Sequence, residues 1–304
     1  MTTSAQTLVH RQLPPVDERT LRDMDFGRIR QAVTERAQTQ VGRARCAELP
    51  LLPSTDAVTD ALRLVGELME AFKESGWPTL AGIHPVDEHV EMAERGGVLE
   101  PRTLMDVATT LSVGEKAANW CVSRRTVAPS AAALMEAFGD YEDVIKEIER
   151  SFEPNGRLAD HASPALAELR RKVQGMREAL TARMESLVTE FAAEGLLQDS
   201  YHTLREDRFV LPVKAAERWR VDGIVHDTSQ THQTFFIEPR DVMDLGNRLK
   251  MAQADVLEEE LRILRHLSAR VGKRAREIVQ DLAALHDLDV AVARARLGQD
   301  LECN

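Results

Sequence analysis

The side chains best suited to binding a ligand are the cations of residues 200–220, where five basic residues outnumber three acidic ones. Arginine and lysine can contact nucleic-acid phosphates, which positions a duplex without reading its sequence. A tryptophan between two of the arginines could pack on a sugar or a base. A solvated strand face with ordinary salt bridges is the alternative. The candidate nucleic-acid contacts are Arg205, Arg208, Lys214, Arg218, Trp219 and Arg220.

A second basic stretch covers residues 261–276 and contains no acidic residue. Three glutamates directly precede it, Glu258–Glu260, and we expect them to pair with an opposing helix. A solvated or intramolecular ion-pairing face explains this stretch better than a wall that faces nucleic acid, which stays the alternative. Its cations are Arg262, Arg265, Arg270, Lys273, Arg274 and Arg276.

Histidines near the first basic stretch raise the question of a metal site. His226, Asp227 and His232 are close in sequence, and His202 could supply a further ligand. A metal ion needs ligands that converge on one point. Alternation along a strand would send His226 and Asp227 to opposite faces. We therefore expect no metal site in this chain.

Catalytic groups are not indicated either. Cys46, Cys121 and Cys303 are odd in number, far apart and without an adjacent histidine, so they predict neither a nucleophile nor a disulfide framework. Their pattern favours a reducing, cytoplasmic location. Asp23 and Asp25 lie where helices are expected to start, and acidic residues there favour the helix dipole. We expect no catalytic residue in this chain.

The composition favours a mainly α fold. Aromatic residues make up 4% of the 304 residues, and the repeating apolar residues are aliphatic, which suits packed helices better than a β sandwich. A net charge of −11 excludes a uniformly basic nucleic-acid binder. No apolar run approaches the roughly 18 residues of a membrane span. Residues 1–16 are predicted to form a flexible tail, and residues 17–160 a helical core of short helices.

Two long segments with a heptad pattern follow this core. Ser163 and Pro164 suit a helix cap and a first turn, after which apolar residues recur every three or four positions. A matching pattern returns later in the chain. The two segments, 161–198 and 239–275, therefore predict a long antiparallel coiled-coil hairpin. The second apolar pattern is Val242, Leu245, Leu249, Ala252, Val256, Leu261, Leu264, Leu267 and Val271.

The segment between the two long helices, 199–238, is rich in β-branched and aromatic residues. Three short runs predict strands: Phe209–Val213, Gly223–His226 and Thr234–Ile237. We expect a small β module at the tip of the hairpin. Residues 276–304 are then predicted to return to the helical core.

Three segments of this module resemble, in order and spacing, the clamp and flanking levers of MutS2, the recombination-suppressing branch of the MutS mismatch-repair family. They are Arg205–Ala215, Gly223–Asp227 and Phe236–Pro239. Upstream, Gly82–Ile83 and Ala93–Leu99 are similar to the core region of that family. The resemblance covers nearly the whole chain and implies a core, a lever made by the long helices and a clamp made by the β module.

The resemblance also implies activities that this chain does not carry by itself. MutS2 proteins have a DNA-dependent ATPase, which uses ATP and Mg²⁺, and usually a C-terminal Smr endonuclease domain. The phosphate-binding motif G-x-x-x-x-G-K-[ST] is absent from this sequence; Gly272 and Lys273 are followed by Arg274 and lack the earlier glycine. We therefore expect an N-terminal portion that stops about where the ATPase would begin, with no cofactor of its own.

The function implied by the resemblance is a grip on branched or duplex DNA during DNA repair and suppression of recombination. A homodimer of the longer protein would close levers and clamps around the DNA. Two alternatives stay open. The same arms could grip ribosomal RNA in ribosome rescue, or the heptad pattern could pair between chains and make this a protein-interaction and dimerisation arm.

Overall fold

The computed structural model describes residues 16–302. Most of the predicted flexible tail and Cys303 lie outside these residues. The chain divides into two compact units: Met1–Arg157 with Leu264–Asn304, here called the helical unit, and Leu158–Ile263, here called the sheet unit. The prediction of a mainly α fold with a small sheet is confirmed. No helix in the described part of the chain is long and apolar enough to cross a membrane.

The helical unit is built from short helices around a longer one at its C-terminal end. Its helices are α1 Glu18–Asp23, α2 Phe26–Thr34, α3 Gln40–Ala47, α4 Thr55–Ser75, α5 Asp87–Glu94, α6 Pro101–Val122, α7 Pro129–Met135, α8 Glu142–Ser151 and, after the sheet unit, α11 Ala275–Asp300. Helix α11 packs against α2 to α7. It therefore forms the centre of this unit.

Local sequence signals explain where these helices begin. The side chains of Thr39 and Ser54 accept hydrogen bonds from the first-turn amides of α3 and α4, as N-caps do. Pro101 and Pro129 stand in the first turns of α6 and α7, where the missing N–H costs nothing.

Two buried carboxylates attach α11 to its neighbours. Asp289 accepts hydrogen bonds from the amides of Gln38 and Thr39, both at 2.9 Å, and from Thr39 Oγ1 at 2.7 Å. Asp281 accepts from the Tyr141 hydroxyl at 2.6 Å. Burial, with this hydrogen bond, raises the pKa of Tyr141 far above its usual value, so the phenol stays neutral. A Cβ at position 42 would lie 2.0 Å from Asp289 Oδ2, so only glycine fits at this position.

The sheet unit contains α9, Pro164–Ala193, and the first part of α10, Arg240–Lys273. Arg183 Nη2, in the second half of α9, lies 2.6 Å from Asp241 Oδ2, at the start of α10. At the opposite end, Ser163 Oγ lies 2.5 Å from Glu259 Oε1. The two helices therefore run antiparallel in this unit. Arg170 also pairs with Glu260 at 2.7 Å, as expected for the glutamates that precede the second basic stretch.

One apolar position predicted for α10 is wrong. Leu261 is exposed, and Ile263 is buried in its place. A seven-residue step from Val256 leads to Ile263, with Glu259 between them in contact with Ser163. The buried face of α10 therefore includes a glutamate, so the apolar residues alone do not mark its whole course. The helix also ends at Lys273, and α11 begins two residues later.

Four short antiparallel strands complete the sheet unit, one more than the three or so predicted. They are β1 Thr203–Arg205, β2 Arg208–Lys214, β3 Gly223–Thr228 and β4 Thr234–Pro239, in the order β1-β2-β4-β3. Leu211 pairs with Ile237 and Val213 with Phe235, and all four pack in the apolar core with α9 and α10. This core holds the sheet against the two helices.

Candidate nucleic-acid interface

The predicted contact Arg205 lies at the end of β1, directly opposite Arg208 of β2. Its Nε is 3.2 Å from Asp227 Oδ2 of β3. Its guanidinium also lies over the Phe236 ring, 4.6 Å from the centroid. The side chain is 43% exposed, so this pair is worth less than about 1 kcal/mol. Arg205 can therefore exchange Asp227 for another anion at little cost.

Arg208 serves the fold. Its Nη1 lies 2.8 Å from Asn247 Oδ1 and 3.3 Å from Glu238 Oε1. Glu238 is buried, and its other oxygen is 2.7 Å from His226 Nε2. A buried carboxylate needs such partners, because an unpaired charge away from water is costly. Arg208 is thus held in place by the carboxylate that it neutralises.

His226 occupies a β-bulge between Val225 and Asp227. The bulge interrupts the strand alternation on which the expected opposite orientation of His226 and Asp227 was based. The His226 ring contacts Glu238, while the Asp227 carboxylate contacts Arg205. Within residues 16–302, no three His, Cys, Asp or Glu side chains are grouped so as to hold a metal ion.

The other four predicted contacts lie together at the opposite end of β2, in and before the 3₁₀ turn Ala215–Arg220. Lys214 Nζ donates to the carbonyl of Gly195 at 2.8 Å. The Arg218 guanidinium lies over the Phe235 ring at 5.1 Å. Arg220 pairs with Glu194 at 3.1 Å and with Glu217 at 3.2 Å.

Trp219 stands out because most of its surface faces solvent. It is 83% exposed, between the two arginines of the turn. We call Lys214, Arg218, Trp219 and Arg220 the turn group. Arg208 stands six residues before Lys214, at the other end of β2. The Arg205 guanidinium lies over Phe236, whereas Arg218 lies over the adjacent Phe235.

Two further cations of the sheet unit escaped sequence reasoning. Arg177 of α9 and Lys250 of α10 line a cavity of about 490 Å³ together with Arg208. Neither makes a hydrogen bond or an ion pair within the described chain, 16–302. The sequence does indicate that both cations are unpaired on their own helices. An acidic residue three or four positions away would be a partner on the same helix face, and neither Arg177 nor Lys250 has one.

The second basic stretch is mostly paired inside the protein. Arg270 contacts Asp143 and, at 2.9 Å, Glu147. Arg262, Arg274 and Arg276 pair with Glu259, Glu277 and Glu94 at 2.7, 2.8 and 3.0 Å. Arg265 and Lys273 are exposed and make no ion pair with residues 16–302. The intramolecular interpretation therefore holds for four of the six cations.

The two described cysteines are poor nucleophiles. Cys46 and Cys121 are fully buried in the helical unit. Burial raises the pKa of the Cys46 thiol to about 11 and that of Cys121 to about 12. Both therefore stay protonated at neutral pH.

Comparison with curated proteins finds relatives called Endonuclease MutS2. The relative from Anaeromyxobacter sp. (strain Fw109-5) is 36% identical over 287 residues, which cover 94% of this chain and 36% of the relative. The relative from Symbiobacterium thermophilum is 36% identical over 291 residues, with 95% and 36% covered. The relative from Bacillus velezensis is 29% identical over 291 residues, with 94% and 37% covered. No family model matches the chain. The chain thus spans little more than a third of the length of these relatives.

Proposed function

Since this chain is a MutS2-like protein, we propose that it is the nucleic-acid-gripping portion of a longer protein of that kind. Helices α9 and α10 act as a coiled-coil lever, and the four-stranded sheet acts as the clamp. The relatives are named as endonucleases. ATP, Mg²⁺ and strand cleavage belong, in this proposal, to the part of the relatives that this chain does not match.

The exposed Trp219 between Arg218 and Arg220 is the observation that carries this proposal. A large aromatic side chain that is 83% exposed gains nothing from the protein core. On a nucleic acid it could stack on a base or sugar, which is worth about 1–3 kcal/mol per stacked base. The flanking guanidiniums could neutralise phosphates, and salt would then weaken the binding.

The partners of the neighbouring cations decide what each one can contribute. Lys214 donates only to a neutral carbonyl, so its charge remains available for a phosphate. Arg218 lies over an aromatic ring and likewise keeps its charge. Arg208 neutralises the buried Glu238, so it supports the clamp and is a weak candidate for phosphate contact. The proposed grip therefore centres on the turn group, with Arg205 as a second contact.

The proposed target is branched or duplex DNA. Stacking and phosphate contacts would serve ribosomal RNA as well, because both occur in every nucleic acid. The dimerisation alternative has less support. Leu166, Leu180, Met184 and Leu187 of the first heptad pattern are buried within a single chain. They offer little surface for pairing with a second chain through this pattern, although a homodimer of the longer protein could form elsewhere.

Tryptophan fluorescence tests the proposal. Trp77 and Trp120 are half-buried, so Trp219 is the tryptophan most open to a ligand. We expect branched DNA with unpaired bases to quench the emission of the wild-type chain, and the W219F variant to bind with similar affinity but without most of the quenching. W219A should bind more weakly, by about tenfold for one lost stack. Binding of W219A with wild-type affinity would refute the proposed contact.

A further inference from the structure

We propose that the cavity between the β1–β2 hairpin, α9 and α10 holds one unstacked nucleotide of a single-stranded nucleic acid. This inference rests on the proposed function, since it assumes that the sheet unit meets nucleic acid. The cavity would bind single strands, bulges or displaced ends, whereas the turn group contacts only phosphates and stacked bases or sugars. The site lies on the Arg208 side of the sheet, away from the turn group.

The cavity has the size and the mixed lining that a nucleotide requires. Its volume of about 490 Å³ lies within the range of small-molecule sites, about 300–1,000 Å³. Leu204, Phe209 and Leu257 supply apolar surface to its wall. Leu204 and Leu257 are largely exposed, so an apolar ligand would remove them from water. A nucleic-acid base has two apolar faces, and one of them could stack on the aromatic ring of Phe209.

Charge favours an anion in this cavity. Arg177, Arg208 and Lys250 outnumber the carboxylates Asp207 and Glu238 among its lining residues. Glu238 is already engaged by Arg208 and His226, so it adds little free negative charge. The unpartnered Arg177 and Lys250 come from different helices and meet at the same cavity. Two free cations beside an apolar wall suit a phosphate attached to a base.

The backbone also leaves room for a ligand. Gly246 lies within α10 and lines the cavity, although glycine is a poor residue for a helix interior. A Cβ there would lie 3.4 Å from Glu238 Oε1 and 3.6 Å from Arg208 Nη1. Any longer side chain would therefore project towards the ion pair at the cavity wall. Both distances are ordinary van der Waals contacts, so alanine would fit at position 246, and the glycine only leaves the wall free of a larger side chain.

A single strand fits these features better than a duplex. Bases in a duplex are stacked and paired, so they cannot turn into a cavity without an energetic cost. Bases of a single strand are free to turn outward and stack on protein side chains. A free nucleotide has the same chemistry, and the experiment below separates the two sources.

The test compares two double variants with equal loss of charge. R177A/K250A removes the cations of the cavity. K172A/R248A removes one exposed cation from each of the same helices, and neither residue lines the cavity. Each purified chain is titrated by fluorescence anisotropy against a labelled oligothymidine of about 12 nucleotides, at several salt concentrations. Circular dichroism checks that both variants fold.

We expect R177A/K250A to bind the single strand about tenfold more weakly and K172A/R248A to change binding less than about threefold. The salt dependence should fall by about 0.7 in log K per log salt for the first variant, because its two cations contact one phosphate. Equal effects of the two variants would overturn the site. Full displacement of the strand by micromolar thymidine monophosphate would show that the cavity binds free nucleotides, and it would also overturn the proposal of a single-strand site.

The proposed function fails in a different way. Loss of binding in W219A with no difference between the two double variants would retain the clamp and reject the cavity. A cavity effect with W219A at wild-type affinity would reject the turn group and retain the cavity. Absence of binding by the wild-type chain to any single strand, duplex or RNA would reject both.

Discussion

Replacement of Arg208 by alanine should destabilise the sheet unit far more than replacement of Arg205, although both were predicted as nucleic-acid contacts. Arg208 is 24% exposed and lies against Glu238, whose side chain is 4% exposed. Arg205 and its partner Asp227 are 43% and 48% exposed. The two arginines face each other across β1 and β2, so their sites differ mainly in burial.

The magnitude follows from what each substitution leaves behind. Breaking a fully buried ion pair by removing one partner costs about 3–5 kcal/mol. His226 remains as a partner for Glu238, and Arg208 is partly exposed, so we expect about 2 kcal/mol for R208A. R205A breaks an exposed pair and should cost less than about 1 kcal/mol. The double variant R208A/E238Q should recover part of the loss, because it removes the uncompensated charge.

Urea unfolding provides the assay, with hydrogen exchange of the β2 and β4 amides at each urea concentration as the probe within the sheet unit. A chain with two compact units need not unfold in one transition, so a local probe is required. With a slope of about 2 kcal/mol per molar urea, R208A should lower the midpoint by about 1 M and R205A by less than half of that. Equal midpoints for R208A and the wild-type chain would refute the structural role of Arg208.

Three further outcomes follow from buried groups. D289A removes the acceptor of three hydrogen bonds at the start of α3 and should destabilise the helical unit by about 3 kcal/mol, measured by thermal unfolding; a loss below about 1 kcal/mol would contradict this. Hydrogen bonding to Arg262 lowers the pKa of Glu259 to about 2, so the ionised carboxylate stabilises the fold above the ordinary pKa near 4.5, and this stabilisation is lost as the pH falls towards 2. The difference in unfolding free energy between the wild-type chain and E259Q should therefore disappear between pH 4.5 and pH 2, and a difference that stays constant would exclude this ionisation. Cys46 and Cys121 should react with a thiol reagent only after denaturant is added, because burial raises their pKa; rapid labelling of either in the native chain would contradict their burial.

Local signals predicted much of the helical structure. The cap formed by Ser163 and the following proline predicted where the first long helix begins, and α9 spans Pro164–Ala193. Strand β1 was missed because its hairpin with β2 turns through Glu206 and Asp207, both with positive φ, where glycine or asparagine is the usual signal. A turn of unusual composition is therefore invisible to sequence patterns.

The candidate contacts were less predictable because their roles depend on distant partners. Arg208 and Glu238 are thirty residues apart, and Arg220 contacts Glu194 twenty-six residues away. The sequence indicated the cations but not which would be neutralised. Arg177 and Lys250 stand on different helices, and only the folded chain brings them to one cavity. Burial and pairing separate a structural cation from an available one, and both require the folded chain.

The central claim, that the turn group grips nucleic acid, is tested most directly by one titration. Labelled duplex DNA, a four-way junction and a structured RNA are titrated with the wild-type chain, R218A/W219A/R220A and the control R265A/K273A, at about 50 and about 200 mM salt. The control also removes two cations, from the helical unit. We predict binding that weakens steeply with salt, is lost in the first variant and persists in the control. Equal binding by both variants, or greater loss in the control, would contradict the claim.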